Sequence, residues 1–230
     1  MSTFLGQSAF FGVGICLITY QIGVQIRKKT GWAICNPLLI SIALVILLLI
    51  GLRIDYSQFK ESSKYISFLL TPATVCLAVP LYEKLQLLKD NFAAIIAGII
   101  AGVLTSLTCV LIFCLIFKLS HENYVTLLPK SITTAIGMDV SKSLGGSDTI
   151  TASVIIITGV LGNVIADVIL KLFRITDPIA KGIALGTSAH AIGTSKALEI
   201  GETEGAMSSL SIAVAGLLTV LGSTIYANFF

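Results

Sequence analysis

A lysine set in apolar sequence beside a proline and several hydroxyls is a combination that can hold an anion. Residues 127–146 read LLPKSITTAIGMDVSKSLGG and bring Pro129, Lys130, Ser131, Thr133 and Thr134 together. A proline at a helix start leaves the N–H groups of the next turn without partners. With the hydroxyls and the ammonium of Lys130, those groups would make an anion site. The same residues also fit a helix that starts at a membrane interface, its lysine reaching out to water. The residues alone leave both readings open.

A second cluster lies in 186–196, GTSAHAIGTSK, with Thr187, Ser188, His190, Thr194, Ser195 and Lys196. Its hydroxyls could bond a substrate carboxylate, and Lys196 could add charge. His190 titrates in the physiological range and could pass a proton. A lone histidine in a helix is more often a hydrogen-bonded packing residue, and hydroxyls in membrane helices commonly bond a neighbouring helix. Asn163 and Asp167 stand one turn apart near Gly159 and Gly162. Asp167 is a candidate ion or proton carrier, or an aspartate reaching water at a helix end. Glu199, Glu202 and Glu204 read as an acidic connector, with Glu202 able to complement the start of the last helix.

No hydrolase elbow, zinc-protease motif, phosphate loop or dinucleotide fingerprint is present, so no enzyme and no cofactor is expected. His121 and His190 are far apart and suggest no metal site. Cys16, Cys35, Cys76, Cys109 and Cys114 form no CxxC and read as packing residues.

The elements that must position these groups are membrane helices. Of 230 residues, 55% are hydrophobic and 12% charged, about half the charge of an ordinary soluble domain. Windows 4–26, 30–52, 65–82, 91–117, 149–166 and 205–230 lack Asp, Glu, Lys, Arg and His. Spanning the hydrocarbon core takes roughly 20 apolar residues, and lipid is the solvent such windows require. The first window lacks the basic start of a cleavable signal peptide. A net charge of +3 spread over short connectors gives no reason to expect nucleic acid. The expectation is an all-α, polytopic helical bundle: one membrane domain, 1–230, of seven or eight membrane segments.

The chain also matches itself. At an offset of 114, Ala101–Leu107 (AGVLTSL) falls on Ala215–Leu221 (AGLLTVL) with five identities in seven columns. The same offset pairs 36–52 with 150–166 and 65–82 with 179–196. This predicts two repeats of about 115 residues, roughly 1–115 and 116–230, an arrangement typical of secondary transporters. Segment 65–82 carries Thr71, Pro72 and Pro80, and its partner carries Gly182, Gly186 and Gly193. Proline and glycine weaken helix interiors, so both segments are candidates for broken or re-entrant helices. Such breaks persist in a membrane only where protein, water or ligand meets the freed backbone groups. With all eight segments spanning, the repeats are parallel; with one re-entrant segment in each, they are inverted. Arg27, Lys28 and Lys29 place the first connector in the cytoplasm.

TPATVCLAVPLY, LLPKSITTAIG and GTSAHAIGTSKALEIGETEGAMSSLSI together resemble the LrgB/CidB family over nearly the whole chain. That family includes holin-like and antiholin-like bacterial proteins and the C-terminal part of a plastid glycolate/glycerate transporter. The resemblance implies a multi-pass protein of the cytoplasmic membrane, a smaller partner of the LrgA/CidA type and possible homo-oligomers. It also implies a role in murein hydrolase export and cell lysis, or in uptake of small carboxylates such as pyruvate. Carried over by motif, the implied sites are Pro72 and Pro80, Pro129 to Thr134, and Thr187 to Lys196. Ala135 stands where the family pattern has a proline after the paired threonines. The reading favoured at this level is a secondary transporter of pyruvate-, glycolate- or glycerate-class monocarboxylates, holding the anion at broken-helix termini; the alternative is a holin-like or antiholin-like regulator.

Overall fold

The structure, a computed structural model, describes residues 10–32, 35–76 and 78–230, apart from the side chains at 70, 71 and 74. All regular structure among them is helical. Three helices, Phe92–Ile116, Asp148–Leu172 and Glu202–Phe229 with its short terminal turn, are long and apolar enough to cross a bilayer. The chain packs as two compact units that meet in sequence at residues 76 and 77.

In the first unit, α1 (Phe11–Thr30) and α2 (Pro37–Leu52) form an antiparallel pair. Gly23 lies against the backbone of Pro37, and Thr19 Oγ1 is 2.8 Å from Ser41 Oγ. Asn36 starts α2 by accepting the Leu38 N–H at 2.8 Å, with Pro37 pre-set for the first turn. Three short helices follow, α3 (Tyr56–Ser62), α4 (Lys64–Phe68) and α5 (Leu70–Cys76). The Ser62 hydroxyl ties α3 back to α1 by accepting the Gly12 N–H at 3.1 Å.

The second unit begins with two more short helices, α6 (Ala78–Glu83) and α7 (Leu85–Asp90). Segment 65–82 is thus cut into short helices, with Pro72 inside α5 and Pro80 inside α6. Then come α8 (Phe92–Ile116), α9 (His121–Leu127), α10 (Thr134–Ser143), α11 (Asp148–Leu172), α12 (Pro178–Ile200) and α13 (Glu202–Tyr226). Helix α8 buries Ile95, Ile99, Val103, Leu107, Val110 and Cys114, a stripe at three- and four-residue spacing that runs its whole length. Its other face exposes Ile100, Leu104, Phe113 and Ile116, which suits lipid and not water.

Helices α8 and α13 run in the same direction. Gly98 and Met207, each in the first half of its helix, both flank the turn at Gly182 and Ile183, while Thr108 Oγ1 meets Tyr226 Oη at 2.8 Å further along. Helix α11 runs the opposite way, from Thr151 on the Thr126 carbonyl (2.9 Å) to Asp167 on Lys196.

Two segments enter the unit and turn back. The first is α9 and α10 with the turn 128–133 between them. Its two ends meet, since Thr126 Oγ1 accepts the Ser147 N–H at 2.9 Å. Helix α10 begins at Thr134, so Ala135 sits in a first turn that would hold alanine or proline equally well. The second is α12. It is broken at Ala189 (φ −129°, ψ 17°) and His190 (φ 42°, ψ −136°). The break is therefore not at the glycines. Gly182 and Gly186 let the first arm approach the Glu204 and Ser208 carbonyls of α13, and Gly193 lies against the carbonyl of Leu185 in the opposite arm. The acidic stretch is hardly a connector: Glu199 lies in the last turn of α12, Glu202 and Glu204 lie in the first turn of α13, and only Gly201 separates the helices.

Candidate functional site

The two folded-back segments enter from opposite ends of the second unit, and their tips approach each other. Ser131, in the first tip, lies 3.1 Å from Ser106. Ser106 is in the middle of the 25-residue α8, roughly 20 Å along a helix that rises 1.5 Å per residue. A groove of about 480 Å³ joins Lys130 of this tip to Ala184, Leu185 and Ser188 of the other. Thr158, Leu161, Gly162, Ile165, Ala166 and Ile169 of α11 also line it. The groove is thus mainly apolar, with one ammonium and two hydroxyls.

The Lys130 Nζ donates to Ser131 Oγ at 3.0 Å, and no carboxylate among the described residues lies within 4.0 Å of it. An ammonium at this depth without a counter-charge is costly, so it favours an anion or water in the groove. Thr133 makes no side-chain cap on α10, whose first turn starts four residues after Lys130. Pro129 is fully buried and fixes the turn. Thr134 opens the helix at half-burial.

The second cluster divides. The Ser188 hydroxyl reaches the groove while donating to the Ala184 carbonyl at 2.6 Å. Thr187 is buried and donates to the Ile183 carbonyl at 2.7 Å. Thr194 is fully buried and pairs with Ser208 of α13 at 2.7 Å. His190 is buried, with Nε2 donating to the Ile155 carbonyl at 3.0 Å. Its ring covers Gly159, where a Cβ would fall 2.7 Å from it. Asn163 donates to the Ile192 carbonyl at 3.0 Å. Lys196 lies outside the groove, at 2.8 Å from Asp167 and 3.8 Å from Glu199. Ser195 is exposed.

Lys130 and Ser188 are therefore brought together, whereas Asn163, His190, Thr194, Lys196 and Asp167 bind the return arm of α12 to its neighbours. Pro80 is half-buried and does not line the groove, Pro72 is exposed in the first unit, and the side chain of Thr71 is outside the described residues. Sequence reasoning missed Ser106, Thr158 and Ser208. Their one signal is a hydroxyl inside an apolar run, which many helix contacts share.

Residues 16–229 match the model of the LrgB-like family. Proteins named antiholin-like protein LrgB from Bacillus mycoides (strain KBAB4), Bacillus cereus (strain B4264) and Bacillus anthracis (strain CDC 684 / NRRL 3495) are 35% identical over 216 residues, covering 94% of this chain and 94% of each relative. No solved structure matches. A match of this extent, carried through both folded-back segments, leaves one assignment: the chain belongs to the LrgB-like family.

Proposed function

We propose that this chain is an antiholin-like protein of the cytoplasmic membrane, acting in the control of murein hydrolase export and lysis. The observation that carries this is the 35% identity over 94% of the chain to relatives bearing that name. A smaller LrgA/CidA-type membrane protein is the partner, and the chain itself could assemble as a homo-oligomer. Deleting the gene should raise murein hydrolase activity in the medium, read by zymography. Unchanged activity, with the partner present, would remove the lysis role.

A second reading concerns the molecular event, and the isolated Lys130 favours it. In this reading the chain is a secondary transporter of small monocarboxylates, of the pyruvate, glycolate or glycerate class. The carboxylate would sit on Lys130 and the first N–H groups of α10, with Ser188 opposite. A simple holin-like pore needs no such paired tips. The proposed duplication belongs to the same reading. At the offset of 114, α8 falls largely on α13, and their common direction supports parallel repeats. Lysis control would then follow from carboxylate flux.

Proteoliposomes separate the two readings. Purified protein, with and without its partner, is given radiolabelled pyruvate or glycolate. Saturable uptake lost in Lys130→Ala supports transport. Unsaturable leakage of unrelated solutes would sink it and leave a pore.

A further inference from the structure

Leu170 and Ile175 line the groove at Lys130, and they also line a second hollow of about 510 Å³ nearer the C-terminal end of α11, so the two adjoin. The charged residues around this hollow are Lys171, Arg174, Lys181 and Asp167. Asp167 is held by Lys196 at 2.8 Å, and Lys181 is 3.9 Å from Glu204. Lys171 and Arg174 are exposed and make no ion pair among the described residues. The nearby Asp177 carboxylate is engaged as the cap of α12, accepting the Ala180 N–H at 2.8 Å. Two cations without an ion-pair partner among the described residues thus line a hollow that adjoins the groove of a third.

We propose that this hollow is an anion antechamber, a weak site where a small organic anion is collected on Lys171 and Arg174 before moving along the groove to Lys130. The proposal rests on the transport reading and adds a site to it. A cavity with low-dielectric walls and an excess of one sign of charge, here three cations against Asp167, focuses the field and raises the local concentration of the opposite ion. The hollow also has a side. Its end of the second unit carries Lys84, Lys89, Lys171, Arg174 and Lys181, against Lys118 and Lys142 at the other end. The positive-inside rule puts the richer end in the cytoplasm. The antechamber therefore serves anions arriving from the cytoplasmic side.

The test is uptake of labelled pyruvate into proteoliposomes, with substrate presented to the face carrying Arg174. Lys171→Gln/Arg174→Gln should raise KM about fivefold at low ionic strength with kcat little changed, and the difference should shrink as salt rises. Lys171→Arg/Arg174→Lys should keep the wild-type KM. Lys84→Gln/Lys89→Gln, on the same end but not lining the hollow, should also leave it unchanged. Unaltered KM in Lys171→Gln/Arg174→Gln would overturn the antechamber while the transport reading stands. An equal rise in Lys84→Gln/Lys89→Gln would reduce the effect to general surface charge and also overturn it. No saturable uptake by the wild-type protein from either side would remove the transport reading and the antechamber with it.

Discussion

Gly193 rests against the carbonyl oxygen of Leu185, eight residues earlier in the same helical segment. In an uninterrupted helix those residues would be about 12 Å apart. The contact exists because the chain reverses at Ala189 and His190, so that the arms of α12 lie side by side. Glycine is what lets them touch, and the reversal is what puts Ser188 opposite Lys130.

Gly193→Ala should therefore cost about 1–3 kcal/mol, because a methyl group must displace backbone rather than a flexible side chain. Gly51→Ala is the control. Gly51 lies in the last turn of α2 with open space around it, where alanine should gain at most about 0.5 kcal/mol by propensity. Melting in detergent should shift down for the first and stay level or rise for the second. A downward shift of equal size in both would mean that close packing at 193 is not the cause.

The apolar windows made the long helices legible, and their boundaries follow ordinary signals: Asn36 before Pro37, Ser147 before Asp148, Asp177 before Pro178. The interruption of 179–196 was legible as well, but its cause was not. Glycine signals both helix weakness and close approach, and only the fold shows that Gly182, Gly186 and Gly193 serve approach. The reversal falls on His190 at φ 42°, a conformation uncommon for every residue but glycine and more frequent for histidine than for most, yet a single histidine in an apolar run is too weak a sign to place a turn. The re-entrance of 121–143 was hidden because α9 and α10 are short and moderately polar. Lys196 was placed with the substrate because spacing along a chain does not reveal a partner 29 residues away; Asp167 holds it instead.

That ion pair is asymmetric. The Lys196 side chain is 7% exposed and that of Asp167 is 46% exposed. Removing the lysine lets Asp167 return to water. Removing the aspartate leaves a buried ammonium whose one remaining carboxylate within 4.0 Å among the described residues is Glu199 at 3.8 Å. Asp167→Asn should thus destabilise the protein more than Lys196→Met, by about 2 kcal/mol against less than about 1. The double variant should recover most of the loss. Equal penalties in the two single variants, measured by thermal melting, would contradict this account of the burial.

His190 offers a pH prediction. Its Nε2–H is engaged with the Ile155 carbonyl and its ring lies over Gly159, a role that needs a donor and not a titrating group. His190→Gln keeps a donor at that position. Any dependence of pyruvate uptake on a pH gradient should survive this change. His190→Leu should lose about 1 kcal/mol of stability with the same pH dependence. Loss of the pH effect in His190→Gln alone would return proton coupling to the imidazole.

Opposite entry of the two folded-back segments can be read directly with single cysteines. Lys142 lies near the return of the first segment and Arg174 just before the start of the second. Cys16, Cys35, Cys76, Cys109 and Cys114 are all free thiols, so serine can replace them without breaking a bridge. In that background, Lys142→Cys and Arg174→Cys are treated with a membrane-impermeant maleimide in intact and in inverted vesicles. The excess of basic residues at the Arg174 end predicts that Arg174→Cys reacts only from the cytoplasmic face and Lys142→Cys only from the other. The count of crossings gives the same answer by another route. Between Lys142 and Arg174 the chain crosses once, along the 25 residues of α11, so an odd number of crossings separates the two labels. Reaction of both from one face would require α11 to lie within the membrane without spanning it, and the meeting of the tips at Lys130 and Ser188 would then lose its basis.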